Sequence, residues 1–567
     1  MEGSHRANAR GWSPLIVLTI LGTVLLSMVW RLRGAAHGVD FLADDAYYYV
    51  VIARNLAATG RVSFDGATLT TGFHPLLLLL EAQGFAMFGT RAPLVTQYLV
   101  LFSAFCALFA GTVAALLGMA GRTSTDSPFA GIAALVAAVL LVPRFTSIYL
   151  NGMESAVELP LLVLLANLVW SRRWPLAGVT GAAMVLARLD TLPFLILPGI
   201  AAIAWRERTA ARPMRTATLW MALPSLAVLA GFALVNLGLS GHVLPISGAI
   251  KSTFPHLHLQ AGNLFDNADE RLGLRLGVAG SALGMALLLR PGQVSADLRW
   301  AGFTAGILAV CQALNLVCFQ RWVKATPHWY LAVLLPLGAF SAAVGIANRA
   351  GRGLRRVASA ASVGSLFVNL AWVGGLAGRL GVPFASTLPF SAGRTSEAAS
   401  AIGRIASEPP SRLWAATDCG KLAFWSERRF VNLDGLVNDY SYQDTLAAGR
   451  LAAYLAQRGV SRLVFGAWQG PSAPIAIEPV YRHRLAPALF RESYRAVPYY
   501  LYSYVHAAWS DTLMLARESE LWRSNLHQDG PYRARTVVFA LGFAPRTPDV
   551  PAMPDRGHQA ASRRSFR

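Results

Sequence analysis

Val39 to Pro75 reads VDFLADDAYYYVVIARNLAATGRVSFDGATLTTGFHP and follows the first long apolar run of the chain. It carries the adjacent acids Asp44 and Asp45, the consecutive Tyr47, Tyr48 and Tyr49, and then Arg54 and Asn55. Nothing in it suits contact with lipid. Two neighbouring carboxylates beside a membrane repel each other and lose solvation, so they persist cheaply only where water, a cation or a substrate compensates them. The same acids also suit the N-terminus of an amphipathic helix over AYYYVVIARNLAA, where they complement the helix dipole. Three tyrosines in a row on such a helix cannot all face one site.

The surroundings of this stretch are apolar. The chain has 567 residues, of which 54% are hydrophobic and 14% charged, and its mean hydropathy of +0.43 is too high for an ordinary soluble protein. The net charge of +20 comes from short basic clusters scattered between apolar runs, not from one basic face. That pattern reads as a topology signal and argues against a nucleic-acid partner. Cys106, Cys311, Cys318 and Cys419 show no CxxC spacing, so neither a disulfide framework nor a zinc site is indicated. Arg6 and Arg10 precede the apolar run from Trp12 to about Trp30, which is long enough to span and has no small-residue cleavage pattern behind it.

Further runs of spanning length lie near 94–118, 128–147, 154–170, 174–188, 190–205, 216–238, 275–289, 299–319, 329–347 and 357–378. The segment from His74 to Gly89, with Glu81 and Gln83, is short for a crossing. If it does not cross, the basic clusters at Arg172–Arg173, Arg206–Arg215 and Arg349–Arg356 all fall on the N-terminal side. If it does, the first two of these face outward, against the positive-inside bias. The reading is therefore a polytopic α-helical membrane protein of about eleven transmembrane helices, N-terminus cytoplasmic. Residues 31–93 form a long first outer loop in which 74–90 is half-buried. Most of the unusual polar chemistry then shares the outer face: 31–93, 148–154, LARLD with Arg188 and Asp190, 239–274, and 320–329.

After about Arg379 the pattern changes. LWAATD, FVNLDG and SRLVFG are short apolar runs ending in turn residues, with the amphipathic TLAAGRLAAYLAQRG between the second and third. Strand, helix, strand in that order predicts an α/β domain over 381–545, extracytoplasmic because the number of spans is odd. The TDCG and NLDG turns invite a nucleotide-binding reading, but there is no GxGxxG and no P-loop. The Pro-rich polar tail, 546–567, is expected to be disordered.

ADDAYYYVVIARNLA, then FDG and TTGFHPL, NGMES, LARLD, LPISGAIK and WYLAVLLP together resemble the bacterial GT-C class of polytopic glycosyltransferases, near the protein mannosyltransferase and aminoarabinose transferase families. The resemblance covers residues 1–380 as a GT-C-like transmembrane domain and is most specific at the DDAYYY to GFHP stretch. It implies transfer of a sugar from a polyprenyl-phosphate-linked donor to a lipid, polysaccharide or protein acceptor, inverting, at the outer face of a bacterial cytoplasmic (inner) membrane. It also implies that an acid of the first outer loop acts as general base or binds a divalent cation, Mg or Mn. Asp44 and Asp45 match that position, with Asp44 read as the base and Asp45 as orienting the acceptor or holding the cation, the order being open. Repulsion within a carboxylate pair raises one pKa towards the working range.

Glu154 stands where many members carry a second acidic motif. It is a single Glu and not a DxD, so metal binding by Asp45 and Glu154 competes with simple capping of a span. For the donor phosphate, Lys251 is the leading cation, since a point charge stabilises a phosphate leaving group. Arg188 and His74 are further candidates, although Arg188 and Asp190 equally suit a structural ion pair. Tyr47, Tyr48, Asn55, His328 and Tyr330 are candidates to bind substrate, with an aromatic-belt role competing at His328 and Tyr330. Two rival functions are a transporter or flippase of a polyprenyl-linked sugar, which would place its ionisable residues near the bilayer midplane, and a non-catalytic envelope-binding membrane protein.

Overall fold

A computed structural model describes residues 43–89, 151–209, 214–259, 272–321, 328–350, 392–469, 494–524, 527–529 and 532–542, with isolated helical positions between 132 and 149 and between 357 and 367. The expected spans at 13–30 and 94–118, most of those at 128–147 and 357–378, the side chain of His328 and the tail at 546–567 lie outside the described residues.

The N-terminal part is helical. α1 (Asp44–Thr59) and α2 (Pro75–Phe88) are followed by α3 (Ser155–Trp170), α4 (Trp174–Ala187), a π-helical turn (Leu192–Ile196) that runs into α5 (Leu197–Thr209), α6 (Met214–Ser240) and the short α7 (Ile246–Lys251). Then come α8 (Leu272–Leu288), α9 (Ala296–Cys318), a 3-10 turn (His328–Leu331) and α10 (Leu334–Ala350). The apolar runs from 154 to 347 thus coincide with helices. Ala217–Ser240, Ala296–Cys318 and Trp329–Arg349 are long and apolar enough to cross a membrane by length and composition, and α2, α3, α4 and α8 are shorter apolar helices. α2 starts at a proline, whose fixed φ and missing N–H suit a first helical turn. It buries Leu77, Leu78, Ala82 and Phe85 and leaves Leu79, Leu80, Met87 and Phe88 exposed.

The bundle has two ends of different character. At one end α1, Asn151, Asp190, Lys251 and Asn315 are joined by hydrogen bonds and ion pairs. At the other, Arg172 pairs with Glu207, Arg206 with Asp297, and Arg349 with the Pro291 carbonyl.

The C-terminal part, opened by α11 (Ala392–Ala406), is an α/β domain. β1 (Leu413–Ala416), α12 (Gly420–Ser426), β2 (Arg429–Asn432), α13 (Tyr440–Ala447), α14 (Leu451–Gln457) and β3 (Val460–Gln469) follow in turn, with β1 parallel to both β2 and β3. β4 (Glu520–Arg523), β5 (His527–Asp529) and β6 (Tyr532–Ala540) complete a sheet of order β2-β1-β3-β6-β4, with β5 on β6. Side chains alternate across it as a strand requires. Trp414, Ala416 and Phe430 join the core of α1 and the bundle, whereas Leu413, Ala415 and Val431 join a separate core with Leu463, Tyr499 and Phe539. β1 leads to β2 on one side while β3 lies on its other side, so its C-terminal end is a topological switch point, the usual ligand crevice of such sheets. Here that crevice receives α1.

Candidate active site

α1 is sandwiched between the bundle and the sheet domain, and every residue from Ala46 to Ala53 is buried. Residues four apart share a helix face, so Asp45 and Tyr49 look one way while Asp44 and Tyr48 look another.

The Asp45 face meets the bundle. Asp45 Oδ2 accepts from the Lys251 ammonium at 3.3 Å. Lys251 ends α7, which is held by the Ile246 N–H on Thr71 Oγ1 (3.1 Å) and by the Arg321 N–H on the Lys251 carbonyl (2.9 Å). Tyr49 accepts from the His74 N–H at 3.3 Å and lies nearly parallel to the imidazole, with ring centroids 6.5 Å apart. His74 Nε2 stands 3.9 Å from Glu154, whose carboxylate is 3.4 Å from Arg188. Arg188 is the hub of the cluster. Its guanidinium grips Asp190 with two bonds of 3.0 and 2.9 Å, lies 3.7 Å from Glu158, and stacks over the Tyr330 ring at 3.9 Å. Asp190 also accepts from Asn315 (2.8 Å), which in turn accepts from Gln320 (3.1 Å). Burial holds the His74 pKa below its usual value despite Glu154, so the imidazole is neutral at pH 7. His74 Nδ1 and Glu154 Oε2 are buried without a hydrogen-bond partner among the described residues; such atoms mark places where a ligand can supply the bond.

The Asp44 face meets the sheet domain. Asp44 accepts the N–H groups of Gly420 and Lys421 at 3.1 and 2.9 Å, capping α12 in the manner of a bound anion. Loss of solvation, reinforced by nearby Asp418, pushes the partly buried Asp44 carboxyl up to about 7. Tyr48 donates to Asp434 at 2.8 Å and accepts from Asn432 and the Cys419 N–H at 3.0 and 3.3 Å. Burial, then Asp418, pushes Asp434 up to about 6. Tyr47 accepts from the Trp425 indole at 3.2 Å. Contact here is closer than a side chain allows: a Cβ on Gly420 would lie 2.4 Å from the Asp44 carbonyl oxygen, and one on Gly72 only 1.8 Å from that of Leu436. The FDG motif belongs to the same seam, since Asp65 pairs with Arg458 and its carbonyl accepts from Arg429 at 3.0 Å.

The structure thus brings Asp45, Lys251, His74, Glu154, Arg188 and Tyr330 to one cluster. It does not bring Tyr47, Tyr48 or Asn55 there. The two tyrosines point into the sheet domain, and Asn55 donates to the Ser63 and Phe64 carbonyls at 2.7 and 3.1 Å, which holds the following loop. Asp44 lies on the docking seam with both oxygens engaged. Sequence reasoning overlooked Glu158, Asn315 and Gln320. Their signal was present, since polar side chains in or beside apolar helices mark functional or pairing positions.

The fit to a divalent cation is poor. Asp45 faces Lys251, and Glu154 faces Arg188 and His74, so each expected ligand already meets a cationic or ring group of the chain. Among the described residues no three His, Cys, Asp or Glu side chains converge as metal ligands.

No family model matches the chain, and no curated protein matches its sequence. Solved structures do resemble it in shape. Three of these are oligosaccharyltransferase structures. The apo form of the Archaeoglobus fulgidus oligosaccharyltransferase aligns with a TM-score of 0.47 and 13% identity over 79% of this chain and 69% of that chain. Archaeal oligosaccharyltransferase AglB from the same organism, in complex with an inhibitory peptide and a dolichol-phosphate, aligns with a TM-score of 0.46 and 12% identity over 80% and 69%. The enzyme tethered to an acceptor peptide containing the NVT sequon gives 0.43 and 13% over 79% and 69%.

Proposed function

We propose that this chain is a membrane glycosyltransferase that moves a sugar from a polyprenyl-phosphate donor to an acceptor hydroxyl, at the outer face of a bacterial cytoplasmic membrane. The observation that carries this reading is the Asp45–Lys251 pair at 3.3 Å, set beside the buried Arg188 cluster where the apolar bundle meets the sheet domain. A transfer of this kind needs a base at the incoming hydroxyl and a cation at the departing phosphate. Asp45 and Lys251 are those two groups in adjacent positions. Without donor they neutralise each other. A donor phosphate competes for the ammonium and releases the carboxylate, so the base is freed only when there is something to attack.

In the chemical step the acceptor's hydroxyl oxygen forms a bond to the anomeric carbon while Asp45 takes the hydroxyl proton. The bond from that carbon to the phosphate oxygen breaks, its electron pair leaves on the polyprenyl phosphate, and Lys251 stabilises the charge. Attack opposite the leaving group inverts the anomeric centre. His74 and Glu154, each with an unsatisfied buried atom, offer one donor-or-acceptor nitrogen and one acceptor oxygen to the sugar. Arg188 is a positioning residue, because Glu154, Glu158 and Asp190 engage it and it holds Glu154 beside His74. We assign the base to Asp45 and not to Asp44, whose oxygens cap α12. No step is routed through a metal ion.

The test is transfer from radiolabelled polyprenyl-phosphate sugars to endogenous acceptor in membranes. Asp45→Asn should lower kcat by roughly two to four orders of magnitude with donor binding kept, and Lys251→Met by about two to three. Wild-type transfer by Asp45→Asn removes Asp45 as the base, and a failure of the wild-type protein to consume any donor removes the enzyme reading. Lipid-linked sugar that crosses the membrane unconsumed would replace it with the transporter.

A further inference from the structure

At the end of the bundle remote from Asp45, two cavities adjoin. One, of about 250 Å³, lies between α3, α5, α9 and α10 and is lined by apolar side chains such as Leu162, Leu165, Ile196, Leu308 and Phe340. The other, of about 230 Å³, has a mixed lining built from Arg172, Arg206, Glu207 and Asp297 with the indoles of Trp170, Trp174 and Trp300. Val169, Trp170, Ile203, Arg206 and Trp300 line both, so the apolar chamber ends at a charged mouth. An apolar slot with a polar head at a bundle end has the form of a lipid.

The charges of the mouth define the head. Arg172 is paired with Glu207 at 3.8 Å, beyond hydrogen-bond length, and Arg206 with Asp297, while the Arg206 guanidinium lies over the Trp300 ring at 4.5 Å. Two cations and two carboxylates suit a head that carries both signs: its phosphate takes the guanidinium groups, and its ammonium takes the carboxylates and an indole face. A purely anionic head satisfies the arginines but faces both carboxylates unpaired.

Backbone geometry adds an independent observation. Arg172 has φ 56, and α3 is closed by the Arg172 N–H on Val169 and the Arg173 N–H on Leu168, at 3.1 and 2.8 Å. The left-handed residue of this closing motif is ordinarily glycine. A strained conformation that keeps an arginine points to a use for its side chain.

We propose that this mouth and chamber bind one molecule of a zwitterionic phospholipid bearing a primary ammonium, its head among Arg172, Arg206, Glu207 and Asp297 and one acyl chain in the apolar cavity.

The full-length chain in mild detergent is titrated with dioleoyl phosphatidylethanolamine or dioleoyl phosphatidylglycerol and read by native mass spectrometry. The two lipids share chains and phosphate and differ in the ammonium. The proposal expects one phosphatidylethanolamine per chain under conditions that strip phosphatidylglycerol. Arg172→Gly relieves the backbone, so it cannot lose binding through misfolding at that turn. Gly199→Phe fills the chamber, where a Cβ meets nothing within 4 Å. Each should weaken retention about tenfold or more, the scale of one charge-assisted contact or one buried chain segment. Equal retention of the two lipids, wild-type retention in either variant, or no retained lipid in the wild type overturns the proposal.

Discussion

Asp44 and Asp45 are adjacent in the chain yet serve different partners: Asp44 accepts the N–H groups of Gly420 and Lys421 at 3.1 and 2.9 Å, and Asp45 meets the Lys251 ammonium at 3.3 Å. One helical step of about 100° separates them. The same step sends Tyr48 to Asp434 with Asp44, and Tyr49 to His74 with Asp45. α1 therefore presents one face to the sheet domain and another to the bundle, and the sheet domain sets how the bundle-facing side stands.

Removing Asp44 should damage docking before chemistry. Asp44→Ala leaves two N–H groups at the start of α12 without their acceptor, a cost of about 1–3 kcal/mol. Thermal unfolding in detergent should show the loss, while donor affinity measured below the transition stays near wild type. An Asp44→Ala protein of unchanged stability that cannot transfer sugar would return the base to Asp44.

Gly420→Ala probes the same seam through sterics. The added Cβ, 2.4 Å from the Asp44 carbonyl oxygen and 3.0 Å from the Tyr47 Cβ, forces the domains apart, and overpacking of this kind costs about 1–3 kcal/mol. Gly403→Ala, in α11 with open space at its Cβ, is the control and should be neutral or stabilising by roughly 0.4–1 kcal/mol. Equal unfolding temperatures for the two variants would mean that the seam is not close-packed.

Docking should also depend on pH. Asp44 is raised from 3.8 to about 7 and Asp434 from 3.8 to about 6. The docked state then holds more protons than the unfolded chain between pH 4 and 7, so stability falls as pH rises through that window and levels off above it. Unfolding temperatures at pH 5.5 should exceed those at pH 8. Asp44→Asn should flatten the upper part of the dependence, between about 6 and 7, and leave the part due to Asp434. A stability that rises over this window contradicts the assignment.

Arg188 and lysine are not equivalent at the hub. Arg188→Lys keeps the charge but loses the two-pronged grip on Asp190 and the stack on Tyr330. Arg188→Met leaves Glu154, Glu158 and Asp190 without their buried cation and should cost about 3–5 kcal/mol. Denaturation in detergent should rank wild type above Arg188→Lys and Arg188→Met last. If the methionine variant matches wild type in stability, the cluster is not held by its charges.

Much of the architecture was legible without coordinates. The apolar runs from 154 to 347 mark helices because their lengths and composition leave few alternatives, and the LWAATD and FVNLDG runs mark β1 and β2 because short apolar segments ending in turns suit buried parallel strands. The acid pair, GFHP and PISGAIK also stood out, and Asp45, His74 and Lys251 meet in one cluster. FDG and the tyrosine run were less readable. Tyr47 and Tyr48 look like site residues in the chain, but with Asp65 they are engaged in a seam with residues 378–393 positions away, and no local pattern records such a partner.

The sequence by itself determined that the chain is a helical, apolar protein with an α/β domain at its C-terminal end and an acid pair at the head of a polar helix, since length, periodicity and turn chemistry are local properties. Only the tertiary structure decided which acid meets which partner. Asp45 finds Lys251 206 residues away, and Asp44 finds Gly420 376 residues away. The choice between two adjacent carboxylates depends on how one helix is rotated between two packed bodies, and that rotation is set by the shapes of both.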